Sequence, residues 1–370
     1  REMNCIKRKV DIHEPSKKLK VVLNFENLAN EIFYDIFEYL DGYDIFKAFS
    51  KLNHRFKRLL NISSFPLKFK LSYHSNEQIC RDCILPNRHR LITLDVSNYK
   101  IINWLFSSIH VNQSFSQLQC IILRDIYIDN LPLTLSLLKS LPQLSSLIIK
   151  LVNKKHYDVK SILSSIFQLV KLKNVIVRVS MSTYFEKSTV DLPISIDKNY
   201  NIETMKFGLP LNLNELAALI SHAPNLRRLT CNRLTHVREI YGFTQRLTES
   251  YLTYLSIDEC FLSIDNLHRF LQIIGSQLRV LCLKDCGNYY NYILPNRWQS
   301  LIETYMPNLV RFEFGMHDSV NYDGSIPLHP EIINSYVKPF WTNKQWIFHL
   351  EFDYNGFICS IYPYQYNLFQ

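Results

Sequence analysis

The stretch Leu144-Ser145-Ser146-Leu147-Ile148-Ile149 carries the pattern that decides the fold. Apolar residues occupy its first, fourth and sixth positions, and this six-residue pattern occurs nine times between residues 91 and 314. The first residues of successive copies lie 24 to 31 residues apart. Such a period is typical of proteins that stack one structural unit on the next. The nine copies are Leu91-Leu94-Val96, Leu118-Ile121-Leu123, Leu144-Leu147-Ile149, Leu172-Val175-Val177, Ile202-Met205-Phe207, Leu226-Leu229-Cys231, Leu252-Leu255-Ile257, Leu278-Leu281-Leu283 and Leu309-Phe312-Phe314.

The segments between the copies predict helices. Apolar residues follow helical spacing from Leu213 to Ile220 and from Leu267 to Ile274, and Asp265 is placed to cap the second helix. Pro224-Asn225-Leu226 and Pro307-Asn308-Leu309 each stop a helix just before the leucine that opens the next copy. Each unit is therefore expected to be a strand plus a helix, and stacked units would form a parallel sheet.

This repeat resembles the leucine-rich repeat. The resemblance implies an α/β fold in which residues 66–345 form a βα solenoid, or horseshoe, of about nine irregular units. After it, Ile347-Leu350-Phe352 is similar to a tenth strand, and Asn355-Gly356 predicts a hairpin whose second arm runs from Phe357 to Tyr362. We expect residues 346–370 to be a terminal hairpin cap that covers the edge of the last repeat.

Residues 24–65 follow a compact helical pattern instead. The first helix is expected to end at Gly42, Asp44 is placed to cap a second, and a short third fits Arg55 to Leu60. Residues 26–44 hold six acids and no Lys or Arg, whereas residues 47–58 hold five bases and no acid. Three helices this short bury little surface, so the module needs a neighbour or a partner. The apolar face of the first helix is predicted to contain Leu28, Ile32, Ile36, Phe37 and Leu40.

Four pieces of this region together resemble an F-box: Asn27-Leu28-Ala29-Asn30-Glu31-Ile32, Ile36-Phe37-Glu38-Tyr39-Leu40, Asp44-Ile45 and Phe56. The sequence departs from that family's pattern at Ala29, where proline is usual, and at Phe49 and Leu52, where Val and Cys are usual. The resemblance implies binding to a Skp-type adaptor, which links the chain to a cullin-based (SCF) ubiquitin ligase. It implies internal core positions at Phe37, Phe49 and Phe56, and adaptor contacts at Leu28, Ile32, Leu40, Asp44 and Ile45.

One sheet face suggests a second contact surface. Strand side chains alternate, so the residue between the fourth and sixth pattern positions points away from the helices. Three isoleucines would lie side by side there, bordered by three bases two residues further on, as in a binding site for an acidic-apolar segment of a target protein. Two alternatives remain open: a loop or the N-terminal tail covers the isoleucines, or a one-residue register shift turns them inward. The six residues are Ile122, Ile148, Ile176, Arg124, Lys150 and Arg178.

Charge and composition narrow the functional classes. A chain with 47% hydrophobic residues folds, and its net charge of +9 includes +4 from residues 1–20. We expect residues 1–23 to be a basic flexible tail, with a nuclear-import signal around Lys7-Arg8-Lys9 as the alternative.

Nine cysteines without a regular framework, and no apolar segment at the start of this sequence, favour the cytosol or the nucleus. The longest charge-free run, residues 101–123, is too polar for a membrane span.

The sequence contains few motifs that indicate catalysis or the binding of a metal or cofactor. Only eight glycines occur, with no phosphate-binding loop, and neither H-E-x-x-H nor G-x-S-x-G is present. Cys80-Arg81-Asp82-Cys83 is a lone C-x-x-C, with His74 and His89 nearby, and is a weak signal for zinc or redox work. We therefore expect no enzyme activity, no metal, no cofactor, no small-molecule substrate and no membrane partner.

The combined pattern predicts a substrate-recruiting receptor subunit of an SCF ubiquitin ligase, with the helical module on the adaptor and the solenoid on an unidentified target protein. One alternative is a protein-binding scaffold without a ligase role, which the departure at Ala29 would favour. A nucleic-acid-binding solenoid is a second, weaker alternative, because the bases lack regular aromatic neighbours for stacking. A hydrolase ranks last, since no nucleophile motif occurs.

Overall fold

The computed structural model describes residues 25–61, 65–72, 77–97, 99–108, 114–152, 159–179, 200–235, 247, 250–286, 290–319, 330–352 and 356–364. The predicted tail, residues 1–23, lies outside this part of the chain. The described residues form a mixed α/β architecture. Its strands are Leu67–Leu71 (β1), Leu91–Val96 (β2), Cys120–Tyr127 (β3), Ser146–Val152 (β4), Asn174–Val179 (β5), Thr204–Phe207 (β6), Leu211–Asn212 (β7), Arg228–Thr235 (β8), Tyr254–Cys260 (β9), Val280–Leu283 (β10), Arg311–Ser319 (β11), Trp346–Phe352 (β12) and Gly356–Pro363 (β13).

Twelve α-helices accompany these strands in the described ranges. Three precede β1, and several others connect one parallel strand to the next. They are Asn30–Tyr39 (α1), Gly42–Phe49 (α2), His54–Leu60 (α3), Glu77–Ile79 (α4), Tyr99–Ser108 (α5), Leu131–Leu138 (α6), Val159–Phe167 (α7), Leu213–His222 (α8), Ile264–Ile274 (α9), Pro295–Tyr305 (α10), Pro330–Ser335 (α11) and Pro339–Asn343 (α12).

All thirteen strands belong to one open sheet. Its strand order is β1-β2-β3-β4-β5-β6-β8-β9-β10-β11-β13-β12, and the short β7 pairs beside this path with β8. Neighbours from β1 to β11 run parallel. Strands that are consecutive along the chain are thus adjacent in space, as the repeat period predicts. Strand β1 was not among the nine predicted strands.

The nine copies of the repeat pattern each reach a strand. Their fourth and sixth positions fall on β2 to β6 and β8 to β11, and all these side chains are buried. Because strand side chains alternate, the buried positions share one face, where they join the helices in one apolar core. The other side chains of β4 are only partly buried, in the strict alternation of a strand with one open face.

The predicted terminal hairpin is present as β12 and β13. The two strands pair antiparallel, with Phe352 opposite Phe357. The second arm, β13, pairs antiparallel with β11 and so covers that edge, whereas β12 lies outside it. Asn355 lies outside the described residues.

Asparagine amides tie neighbouring units together at the turns before the strands. In three cases an asparagine Nδ2 donates to a backbone carbonyl in the preceding unit, which satisfies a carbonyl at a turn. This contact explains the asparagines of Pro224-Asn225-Leu226 and Pro307-Asn308-Leu309. The three bonds are Asn201 to Val170 (3.1 Å), Asn225 to Tyr200 (3.3 Å) and Asn308 to Ser276 (2.8 Å).

Two predicted helix caps are wrong. Asp41, not Asp44, caps α2, since its carboxylate accepts from the Tyr43 N–H at 2.8 Å. Ser263, not Asp265, caps α9. In both cases two polar residues lie near the start of the helix, and the earlier one has the extended backbone of an N-cap residue.

Gly42 begins α2 rather than ending α1, because the helix approaches β1 too closely for a side chain. A Cβ on Gly42 would lie 2.8 Å from a Phe69 ring carbon and 2.9 Å from the Lys68 carbonyl oxygen. The Asp41 carboxylate also accepts from the Lys70 N–H of β1. The helices are therefore packed directly against the first strand.

Arg90 strengthens this junction. Its buried guanidinium donates to the Leu60 carbonyl at the end of α3 and to Asn87 Oδ1, the latter at 3.0 Å from Nε. Desolvation lowers the pKa of Arg90, but these acceptors hold its charge in place. The helical module and the sheet thus share a buried polar contact.

Candidate functional site

The core of the three-helix module is aromatic. Phe37, Phe49 and Phe56 are buried, as the sequence predicted, and Phe33 joins them. The Phe33 ring lies 4.8 Å from the ring of Phe56 and the Phe37 ring lies 5.0 Å from that of Phe49. Phe33 was missed, although its spacing of four residues from Phe37 is a helical signal.

The buried face of α1 therefore differs from the predicted one, which leaves part of the predicted face exposed. Ile32 is 43% exposed and Asp44 is exposed, while Leu28 and Leu40 are half-buried. Ile45, also a predicted adaptor contact, is 1% exposed, so its side chain lies in the core and not on the surface. It shares the buried face of α2 with Gly42 and Phe49.

Arg55 holds the chain that leads into α1. Its guanidinium donates to the carbonyls of Glu26 and Leu28 and to Asn30 Oδ1, with Nε 3.0 Å from that oxygen. It also lies 5.3 Å from the Phe33 ring centroid. Ala29, at the N-cap position of α1, makes no side-chain cap. Arg55 therefore positions Leu28 and the start of α1 from a neighbouring helix, a role that spacing alone could not reveal.

The three predicted isoleucines lie side by side on the sheet. Ile122 of β3 is in register with Ile148 of β4, which is in register with Ile176 of β5. All three side chains are half-buried. We call these three residues the isoleucine stripe. The predicted register is thus correct, and the alternative that a one-residue shift buries them is excluded.

The predicted basic border is only partly correct. Arg124 turns to Asp95 on β2, and its Nε and Nη2 each lie 2.6 Å from a carboxylate oxygen. The β3–β4 register shifts between Leu123 and Ile126, and Asp125 has a φ of 55°. This bulge re-aims Arg124 and removes it from the row, and its charge is compensated by Asp95. A β-bulge has no signature in the repeat pattern.

Lys150 and Arg178 remain beside the stripe as register partners on β4 and β5. Lys206 of β6 is the register partner of Ile176 and adds a third base that the predicted site did not include. Its place in the same sequence row as the isoleucines was the available signal. Within the described ranges, none of these three bases forms an ion pair.

The two cysteines of the C-x-x-C lie on a π-helical turn, Cys80–Ile84. Burial raises the pKa of Cys80 to about 11 and also raises that of Cys83. Both thiols are therefore protonated near neutral pH, which makes them weak nucleophiles. His74 lies outside the described residues, and within the described part no group of three or more His, Cys, Asp or Glu is placed to bind a metal.

A cleft of about 330 Å³ lies between α9 and α10, with His268 and Arg297 among its lining residues. Desolvation, helped by the Arg297 charge, lowers the pKa of His268 to about 4. Arg297 in turn pairs with Asp265 at 2.8 Å. Near neutral pH the imidazole is uncharged, so the cleft holds one compensated cation beside a neutral ring.

No protein-family model matches the chain, and no curated protein sequence matches it. Across the described ranges, none of the helices combines the length and apolar character that crossing a membrane requires.

Proposed function

We propose that this chain is a substrate-recruiting receptor subunit of a cullin-type (SCF) ubiquitin ligase. Residues 24–65 would act as an F-box-like module that binds a Skp-type adaptor, and residues 66–345 as a leucine-rich-repeat solenoid that binds a target protein. The chain would contribute proximity rather than chemistry. A ligase enzyme elsewhere in the complex would act on a target held at high effective concentration.

The observation that carries this proposal is the apolar surface at the start of α1 that remains exposed among the described residues. Ile32 is exposed, and Leu28 keeps part of its surface in solvent while it packs against the aromatic core of the module. An apolar surface with an exposed acid next to it in the chain, Glu31, fits a protein partner. The Arg55 contacts hold the start of this surface in one conformation.

The sheet supports the second half of the proposal. Parallel strands in chain order, units of 24 to 31 residues and an asparagine contact between units are the features expected of a leucine-rich solenoid. On the open face of the described strands, Ile122, Ile148 and Ile176 keep part of their side-chain surface in solvent, which a partner could contact.

The test is co-purification of the full chain with a Skp-type adaptor. Ile32→Asp places a charge on the proposed contact surface and, at an exposed site, is expected to leave the fold intact. Leu133→Asp, on the exposed side of α6, is the matched control, since Leu133 is 63% exposed. Ile45→Asp is unsuitable, because it would charge the core.

We expect wild type and Leu133→Asp to bind the adaptor and Ile32→Asp to lose it, with unchanged circular dichroism in all three. Absence of a complex with wild type would refute the ligase role and favour the scaffold without a ligase role. Equal binding by both variants would move the adaptor contact away from α1.

A further inference from the structure

We infer that the isoleucine stripe and its three bases bind an extended protein segment in which apolar residues are flanked by Asp or Glu. This inference rests on the proposed function in so far as it names the class of target that the receptor would recruit. The bases are Lys150, Arg178 and Lys206.

The first step is the contrast between two halves of the same sheet face. In the half formed by β8 to β11, several charged side chains have partners within the chain. Lys284 lies 2.7 Å from Asp258, Arg311 pairs with Glu313, and Arg228 lies 4.4 Å from the Tyr254 ring centroid. Carboxylates of this half therefore compensate the charges of Lys284 and Arg311.

Small side chains occupy the corresponding row in the same half of the sheet face. Ser256 and Cys282 occupy the row that Ile122, Ile148 and Ile176 occupy elsewhere, and both are buried. The isoleucines are larger, yet each keeps part of its surface in solvent. The apolar surface available to a partner therefore lies on β3 to β5.

The second step is the charge beside the stripe. Lys150 and Arg178 stand two residues along β4 and β5 from Ile148 and Ile176, about 7 Å at the rise of a strand. Lys206 flanks the stripe on the next strand. The only nearby carboxylate of this row, Asp95, is already bound by Arg124 within the described structure. Lys150, Arg178 and Lys206 form no ion pair with the residues that the structure describes, and three such cations around an apolar strip favour carboxylates around apolar side chains.

The third step is the form of the partner. Adjacent strands lie about 4.8 Å apart, so the stripe spans about 10 Å, which three residues of an extended chain cover. Below the stripe the row reads Cys120, Ser146 and Asn174, which offers hydrogen-bonding groups but no aromatic ring on which a base could stack. The geometry therefore fits a peptide segment better than a nucleic acid.

The experiment selects binders from a random twelve-residue peptide library displayed on phage, with the full chain as bait. The enriched peptides are then synthesised, and their affinities are measured by fluorescence anisotropy. The test variant carries Lys150→Glu, Arg178→Glu and Lys206→Glu. The control carries Lys139→Glu, Arg227→Glu and Arg279→Glu, three exposed bases elsewhere, so both variants change the net charge equally.

We expect enriched peptides to combine apolar residues with at least two acids, and to lose about tenfold or more in affinity to the test variant only. Enrichment of peptides without acids, equal loss with both variants, or no enrichment would each overturn the inference. Co-purification of the Skp-type adaptor with wild type and with the test variant separates this inference from the proposed ligase role. Peptide binding without adaptor binding would discard the ligase role alone, whereas adaptor binding without peptide binding would discard this site alone.

Discussion

The ion pair between Arg124 and Asp95 gives a quantitative test of the structure, because it decides whether Arg124 is a structural residue or a binding residue. We expect Arg124→Met to destabilise the chain, since it leaves a carboxylate that is only 7% exposed without its cation. Arg124→Met, Asp95→Asn and the double variant form a double-mutant cycle with wild type.

The magnitude follows from the geometry. Two hydrogen bonds of 2.6 Å join the groups, and unit charges about 4 Å apart attract by about 4 kcal/mol at an effective dielectric constant of about 20. Desolvation of a nearly buried acid and a half-buried base offsets part of this attraction. We expect a coupling energy of about 2 kcal/mol, and about 2–3 kcal/mol of destabilisation for Arg124→Met alone.

Urea unfolding followed by circular dichroism measures all four proteins, and the midpoints are compared at a common slope. A coupling energy below about 0.5 kcal/mol, in the range of exposed surface pairs, would refute the reasoning. Arg124 would then be available to a ligand, and the originally predicted row of three bases would have to be restored.

Three further perturbations test other parts of the structure. Ala29 has φ −62° and ψ 154°, which suit proline, so Ala29→Pro should stabilise α1 by about 0.5 kcal/mol and slow its amide hydrogen exchange. Arg55→Ala should accelerate the exchange of the same amides. Slower exchange in Arg55→Ala than in Ala29→Pro would contradict the Arg55 contacts. Gly42→Ala should cost about 1–3 kcal/mol in thermal unfolding because its Cβ meets the Phe69 ring, and an unchanged midpoint would count against that close approach. The folded-state pKa of His268, about 4, lies below the ordinary 6.5, so the unfolded chain takes up a proton first as the pH falls. The free energy of unfolding should therefore decrease from about pH 6.5 to 4, by up to about 3 kcal/mol. His268→Asn should flatten this pH dependence, and an identical slope in both proteins would refute the reasoning.

Periodicity was sufficient to predict most of the sheet. Apolar residues at the first, fourth and sixth positions of a segment, repeated at 24 to 31 residues, identify strands that share a buried face. The same reasoning placed Ile122, Ile148 and Ile176 in register. Strand β1 escaped it, because its alternation of leucine, lysine and phenylalanine lacks the spacing of the repeat.

The errors concern features that depend on contacts between distant residues. Asp41 and Gly42 take their roles from β1, which lies nearly thirty residues further along the chain. Ile45 is buried because α2 turns its Gly42–Ile45–Phe49 face inward. Arg124 leaves its row because a bulge turns it toward another strand. None of these contacts has a local sequence signature, so the sequence pattern alone does not predict them.

The asparagine amides at the turns have a mechanical consequence. Each of the three ties a unit to the one before it, so a unit at an end of the stack is held by one neighbour and an internal unit by two. Under tension applied at its two ends, such a chain should peel from the outside inward. Each peeled unit of 24 to 31 residues would release about 80–100 Å of extended chain, so single-molecule pulling should show a staircase of similar steps rather than one rupture.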